Sequence, residues 1–175
     1  MTTPRVAIAF IDDALEAMLL RAQFESLGCR VDWRPLGKPS DLFSAFDPGV
    51  DIGILSGHGD ERGLVFPALA PGADSLALPD NRMAPGLLRG FAHRLPQVVL
   101  STACDTGNEA FAAAFHAAGA GLYIAPAGYP DGRAVPVLLG LAAFLVMHRR
   151  QSWGEAVAAA NAQVEVYDRF RLFRS

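Results

Sequence analysis

A chain of 175 residues has room for one compact core and little for a second. Apolar residues make up 51% and charged residues 19%, with a mean hydropathy of +0.24, which excludes an intrinsically disordered chain. A net charge of -3 and a pI near 5.7 exclude a nucleic-acid binder that works through a basic face.

Residues 1–5 lead directly into a short apolar run, without the basic segment, apolar stretch and small-residue cleavage site of a signal peptide. Residues 5–11 read as a buried strand, and residues 14–27 follow with helical spacing up to Gly28, a C-cap. Residues 30–34 alternate like a half-exposed strand, and Pro39-Ser40 opens a second helix that Ser40 or Asp41 is placed to cap. Residues 50–56 form another buried strand. Residues 63–81 hold two apolar runs, Leu64-Val-Phe66 and Ser75-Leu-Ala-Leu78, around Ala-Pro-Gly-Ala-Asp, and the pattern predicts a surface hairpin.

Further along, the spacing predicts an amphipathic helix over 84–95, a strand over 97–101, a helix over 108–118 and a strand over 121–125. Two closing helices, 135–149 and 152–166, precede a short edge strand at 170–173. The longest apolar stretch, 135–147, contains Pro136 and Gly140 and falls short of the roughly 18 residues of a membrane span. This β/α alternation calls for an α/β fold with a mainly parallel sheet and helices on both faces. The expectation is a single domain over 1–175, cytoplasmic, with neither nucleic acid nor membrane as a partner.

In open α/β sheets, ligands bind beyond the carboxyl ends of the strands. One strand ends in Leu55-Ser-Gly-His-Gly-Asp60 and the next main strand in Leu100-Ser-Thr-Ala-Cys-Asp-Thr-Gly107. If these strands are neighbours, His58 and Cys104 meet at one edge although 46 positions separate them. A thiol nucleophile needs such a base, because the thiolate is the reactive form. The helix starting near Asn108 adds a dipole that favours the anion. Glycines beside His58 admit a substrate backbone, and the N–H groups of Gly59 and Cys104 are the candidate oxyanion donors.

The remaining polar residues carry plainer readings. Cys29 reads as a small core residue, and His93, His116 and His148 fall in helical stretches as surface or packed side chains. A zinc site from His58, Cys104 and Asp60 lacks a fourth ligand at a recognisable spacing, so no metal is expected. Asp60 either orients His58 or is solvated surface, and Asp12 and Asp13 border the same edge. Asp105 and Asp131 are the acidic residues expected to face the cleft, where a carboxylate selects a basic substrate side chain. For Asp105, capping the helix that follows is the competing reading.

Ser56-Gly-His-Gly and Leu100-Ser-Thr-Ala-Cys-Asp-Thr-Gly resemble the His and Cys motifs of caspase-fold (clan CD) cysteine peptidases, most closely the CHAT domain group. Ala117-Ala-Gly-Ala-Gly-Leu-Tyr-Ile-Ala125 looks like the strand after the nucleophile helix of that group, Gly154-Glu-Ala-Val157 like its late helix, and residues 167–173 like its closing strand. The resemblance implies a caspase-like three-layer α/β/α sandwich, His58 as general base and acid, Cys104 as nucleophile, and Gly59 with the Cys104 amide as oxyanion hole. The implied reaction is hydrolysis of peptide bonds in a protein substrate through an acyl-enzyme, without a cofactor. Where CHAT-like sequences carry a tryptophan, this chain has Ala127-Gly-Tyr-Pro-Asp131, so specificity does not transfer.

The leading expectation is therefore a cysteine endopeptidase acting on a protein or peptide, with a regulatory protein partner supplying control. The alternative is a catalytically idle caspase-fold interaction module. A flavodoxin-like ligand domain is disfavoured, because Ile11-Asp-Asp-Ala14 lacks the glycine, serine and threonine amides that cradle a phosphate.

Overall fold

The apolar run after Arg5 becomes β1 (Arg5–Phe10), whose side chains alternate between two interiors. Ala7 and Ala9 enter one, and Val6, Ile8 and Phe10 the other. Burial on both faces is what a central parallel strand demands. Residues 3–91, 94–166 and 169–175 are described here from a computed structural model. α1 (Ala14–Ser26) starts at Asp13, whose carboxylate accepts from the amides of Leu15 and Glu16 at 2.9 and 3.3 Å, and ends before Gly28 at φ +85°.

β2 (Arg30–Pro35) and β3 (Ile52–Ser56) flank β1, both parallel to it. Three short strands follow: β4 (Gly59–Asp60), β5 (Gly63–Val65) and β6 (Arg82–Met83), joined antiparallel in the order β4-β5-β6. The chain then returns to the main sheet as β7 (Val98–Ser101), followed by α2 (Glu109–Ala117), β8 (Leu122–Pro126), α3 (Ala134–Arg149), α4 (Trp153–Asn161) and β9 (Phe170–Arg174). The six-stranded sheet runs β2-β1-β3-β7-β8-β9, parallel except for β9. α1, α3 and α4 cover one face; α2 and two 3-10 segments cover the other. The result is a three-layer α/β/α sandwich.

Four segments differ from the sequence expectation. Residues 39–44 form a 3-10 turn rather than an α-helix, and Asp41 accepts from the amides of Gly37 and Lys38 at its start. The helix expected over 84–95 is a 3-10 segment, Pro85–Gly90, bounded by a proline and a glycine that shorten it while Leu88 still reaches the core. Within 63–81, the strand pairing with β5 is Arg82–Met83 and not Ser75–Leu78. Asp74 accounts for part of that path, since its carboxylate accepts from the amides of Ser40 and Leu76 and ties the excursion to the body of the domain. The last helix is also shorter than 152–166, ending at Asn161. His93 and Tyr167 lie outside the described residues.

Candidate active site

The chain switches direction between β1 and β3, which opens a crevice at the carboxyl ends of the sheet. A cavity of about 430 Å³ lies there, and it draws residues from the ends of four strands. Asp13 and Glu16 follow β1, Gly57 and His58 follow β3, Thr102 and Cys104 follow β7, and Pro130 and Arg133 follow β8. β3 and β7 are adjacent, so the fold brings His58 and Cys104 to one cavity. His58 is exposed, and Cys104 is half-buried.

The two loops are packed and bonded to each other. Thr102 accepts from the Gly57 amide at 3.1 Å and donates its own amide to Leu55 O at 2.9 Å. A Cβ on Gly59 would stand 2.9 Å from both Ala103 Cβ and Cys104 O, so only glycine lets the His58 loop lie this close. Val65 N donates to His58 O, which makes that pair hydrogen-bonded in the β4–β5 ladder. By the alternation of antiparallel pairs, Gly59 and Leu64 form the non-bonded pair, and the Gly59 N–H turns away from β5. Among the described residues, the Cys104 N–H donates to no backbone carbonyl.

The Cys104 loop is rigid because its own hydroxyls hold it. Thr106 Oγ1 donates to Ala103 O at 2.7 Å and lies 3.1 Å from Ser101 Oγ, while Ser101 Oγ accepts the Ala103 amide at 3.2 Å. Tyr123, fully buried, donates to Thr106 O at 3.1 Å, and that burial raises its phenol. The amides of Asp105 and Gly107 reach across to Gly128 O at 2.7 Å and Pro126 O at 2.8 Å. The loop therefore leans on the end of β8.

The electrostatics run against a resting thiolate. Burial pushes the Cys104 thiol up, the Glu16 carboxylate pushes it further and Asp105 adds to this, while the amide of Cys104 itself acts in the opposite direction. Glu16 is the residue that sequence reasoning missed. It stands in the first turn of α1, takes a 2.6 Å hydrogen bond from the fully buried Ser56 hydroxyl, and lines the cavity. The one signal for it was its place just beyond the end of the first strand. Glu16→Gln removes one of the two charges that disfavour the thiolate. Iodoacetamide should then alkylate Cys104 faster at pH 7, and the inflection of the rate against pH should move to lower pH. An unchanged profile would show that the carboxylate does not reach the sulfur. Cys29 serves as the internal control, since it is 7% exposed and its thiol is raised by burial and then by Asp51.

Neither Asp105 nor Asp131 is among the residues that line the cavity. Asp105 adopts a left-handed backbone (φ +54°), and the cap of α2 is Asn108, whose Oδ1 accepts from the amides of Ala110 and Phe111. The Asp131 carboxyl is held at about 2 by the Arg133 guanidinium and amide at its side. Asp60 closes the β4–β5 turn: burial raises its carboxyl, but Arg82 at 2.6 Å and the amides of Arg62 and Gly63 hold it below its usual value. Its two carboxylate oxygens are thus taken up by Arg82 and by the Arg62 and Gly63 amides. Asp13 is the α1 cap, and Asp12 is exposed at φ +64°. His116 Nδ1 lies 2.8 Å from Ala120 O, and His148 stacks on Phe144. Among the described residues, no three His, Cys, Asp or Glu side chains are gathered to hold a metal ion, and no helix is long and apolar enough to cross a membrane.

A six-stranded, mainly parallel sheet between two helical layers, with this crevice, is a caspase-like α/β sandwich. The chain is similar in structure to the complex of pro- and mature domains of RgpB from Porphyromonas gingivalis, a protein of caspase fold. The TM-score is 0.64 at 13% identity over 98% of this chain and 47% of the other, so this chain spans about half of that one. A second similar structure is the RcsB response regulator of Salmonella typhimurium, with a TM-score of 0.49 at 13% identity over 94% of this chain and 69% of the other. No family model and no curated protein matches the sequence.

Proposed function

We propose that this chain is a cysteine endopeptidase, with Cys104 as nucleophile and His58 as general base and then general acid. The observation that carries the reading is the convergence of these two residues, 46 positions apart, on one cavity at the ends of adjacent strands. RgpB, which shares the fold, is a cysteine peptidase, and the motifs around His58 and Cys104 resemble those of the CHAT group. Burial and the Glu16 carboxylate raise the thiol and so disfavour a preformed thiolate, and in this reading proton transfer to His58 accompanies attack. Sγ attacks the scissile carbonyl carbon as its proton passes to the imidazole. The oxyanion is met by the N–H groups of Gly59 and Cys104. Collapse expels the amine, which takes the proton from His58, and water then hydrolyses the thioester with His58 as base. The substrate is a protein or peptide. A regulatory partner supplies control, and two unpaired cysteines suit the reducing cytoplasm.

The second reading, a catalytically idle interaction module, draws on the raised Cys104 thiol. Peptide acyloxymethyl ketone probes, read by intact mass, separate the two. The expected result is a single adduct that is absent in Cys104→Ala and forms about 10² to 10⁴ times more slowly in His58→Ala, the usual contribution of a positioned acid–base group. Labelling of Cys104 no faster than in the urea-unfolded chain would favour the idle module.

A further inference from the structure

The cavity beside Cys104 is bordered by charged groups that already have partners within the chain. Asp13 caps α1, Glu16 accepts from Ser56, and Arg133 is ion-paired with Asp131 at 2.7 Å. Apart from the His58–Cys104 pair and Gln23, whose buried Oε1 has no hydrogen-bond partner among the described residues, its remaining wall is aliphatic: Leu15 and Leu19 from the first two turns of α1, and Val135, Pro136 and Val137 from the first turn of α3. Leu15 and Leu19 are one turn apart and share a helix face.

A second observation points to a ligand at the same place. Of the large apolar side chains exposed among the described residues, Leu15 (68%), Leu19 (49%) and Val137 (61%) all border this cavity. Single exposed apolar side chains are ordinary, but their gathering around a concave site next to a thiol marks a surface that a ligand covers. The volume of about 430 Å³ falls in the range of about 300–1,000 Å³ typical of ligand pockets.

Resting on the peptidase reading, we propose that this cavity receives a large apolar side chain, leucine, methionine or phenylalanine, from the substrate residue that carries the scissile carbonyl. Cys104 and His58 line the same cavity, so a side chain seated there belongs to a residue whose carbonyl lies at the sulfur. A basic side chain would meet carboxylates already partly engaged, Glu16 Oε1 by the Ser56 hydroxyl and Asp13 Oδ1 by the α1 amides. An acidic one would meet Asp13 and Glu16. The specificity residues are thus Leu15, Leu19 and Val137, not the carboxylates of Asp105 and Asp131.

The test uses peptide acyloxymethyl ketones that differ only in that residue: Leu, Phe, Ala, Arg or Asp. In each adduct the Cys104 sulfur forms a bond to the methylene carbon as the carboxylate leaves. Labelling rates at Cys104 should rank Leu and Phe at least about tenfold above Ala, Arg and Asp, the scale on which a hydrophobic pocket discriminates added methylene groups. In Leu19→Ser and Val137→Ser, which change exposed positions and leave the core intact, that preference should flatten. If the Arg or Asp probe labels fastest, or if Leu and Ala label alike, the apolar assignment is overturned while the dyad stands. If no probe labels Cys104 faster than in the unfolded chain, the peptidase reading falls, and the assignment with it.

Discussion

Gly107→Ala is expected to slow probe labelling of Cys104 by at least a hundredfold and to lower the unfolding free energy by roughly 3 kcal/mol. A Cβ at Gly107 would stand 2.7 Å from Ala125 O and closer still to Pro126 O, and both are backbone atoms that cannot rotate aside. They cannot retreat easily, because Ala125 and Pro126 are paired with Arg171 and Phe170 of β9 and the Ala127 amide donates to Arg169 O. The loop that bears Cys104 must move instead. Overpacking of this kind costs about 1–3 kcal/mol, and each neighbouring hydrogen bond that is lost adds about 1 kcal/mol. The bonds at stake are Gly107 N to Pro126 O and Tyr123 Oη to Thr106 O. A misplacement of about 1 Å can lower a rate about a hundredfold even when the chemical groups are intact. Urea unfolding and probe kinetics on one preparation would check both halves. Wild-type labelling in the variant would mean that the loop position does not govern the thiol.

The main sheet was legible because four of its five parallel strands lie in the interior, where both faces are buried and the sequence is a continuous apolar run, as in Ile52-Gly-Ile-Leu-Ser56. The His58 and Cys104 loops were legible for a related reason: small and polar residues follow those runs where the backbone leaves the sheet. Residues 84–95 misled because Leu87, Leu88 and Phe91 keep helical spacing, while Pro85 and Gly90 confine the turn to six residues. Glu16 was easily passed over because its spacing on α1 is that of a solvated position, and the switch in strand order is what turns that first turn toward the crevice. Asp105 and Asp131 were placed in the cleft by proximity in sequence to the strand ends. Sequence does not encode that Asp105 enters a left-handed conformation or that Asp131 closes on Arg133.

The stability of the site and its geometry should also separate in a second variant. Phe115 is fully buried on α2, and its ring stacks on Tyr123 at 4.5 Å, within a row that continues to Phe91 at 6.4 Å and Phe173 at 6.1 Å. Phe115→Ala removes that ring and leaves a cavity, so the expected loss is about 3–5 kcal/mol. For a domain of this size that lowers the melting temperature by roughly 6–20 °C. The urea midpoint should fall with no change in slope, since the surface exposed on unfolding is nearly the same. Tyr123 is held independently by its hydrogen bond to Thr106 O, so the Cys104 loop keeps its anchor in the folded fraction. Labelling of Cys104 at low temperature should therefore fall much less than in Gly107→Ala. Combining Phe115→Ala with Tyr123→Phe measures the link: a non-additive loss of Cys104 labelling would show that the aromatic row positions the loop, and additivity would confine the row to stability.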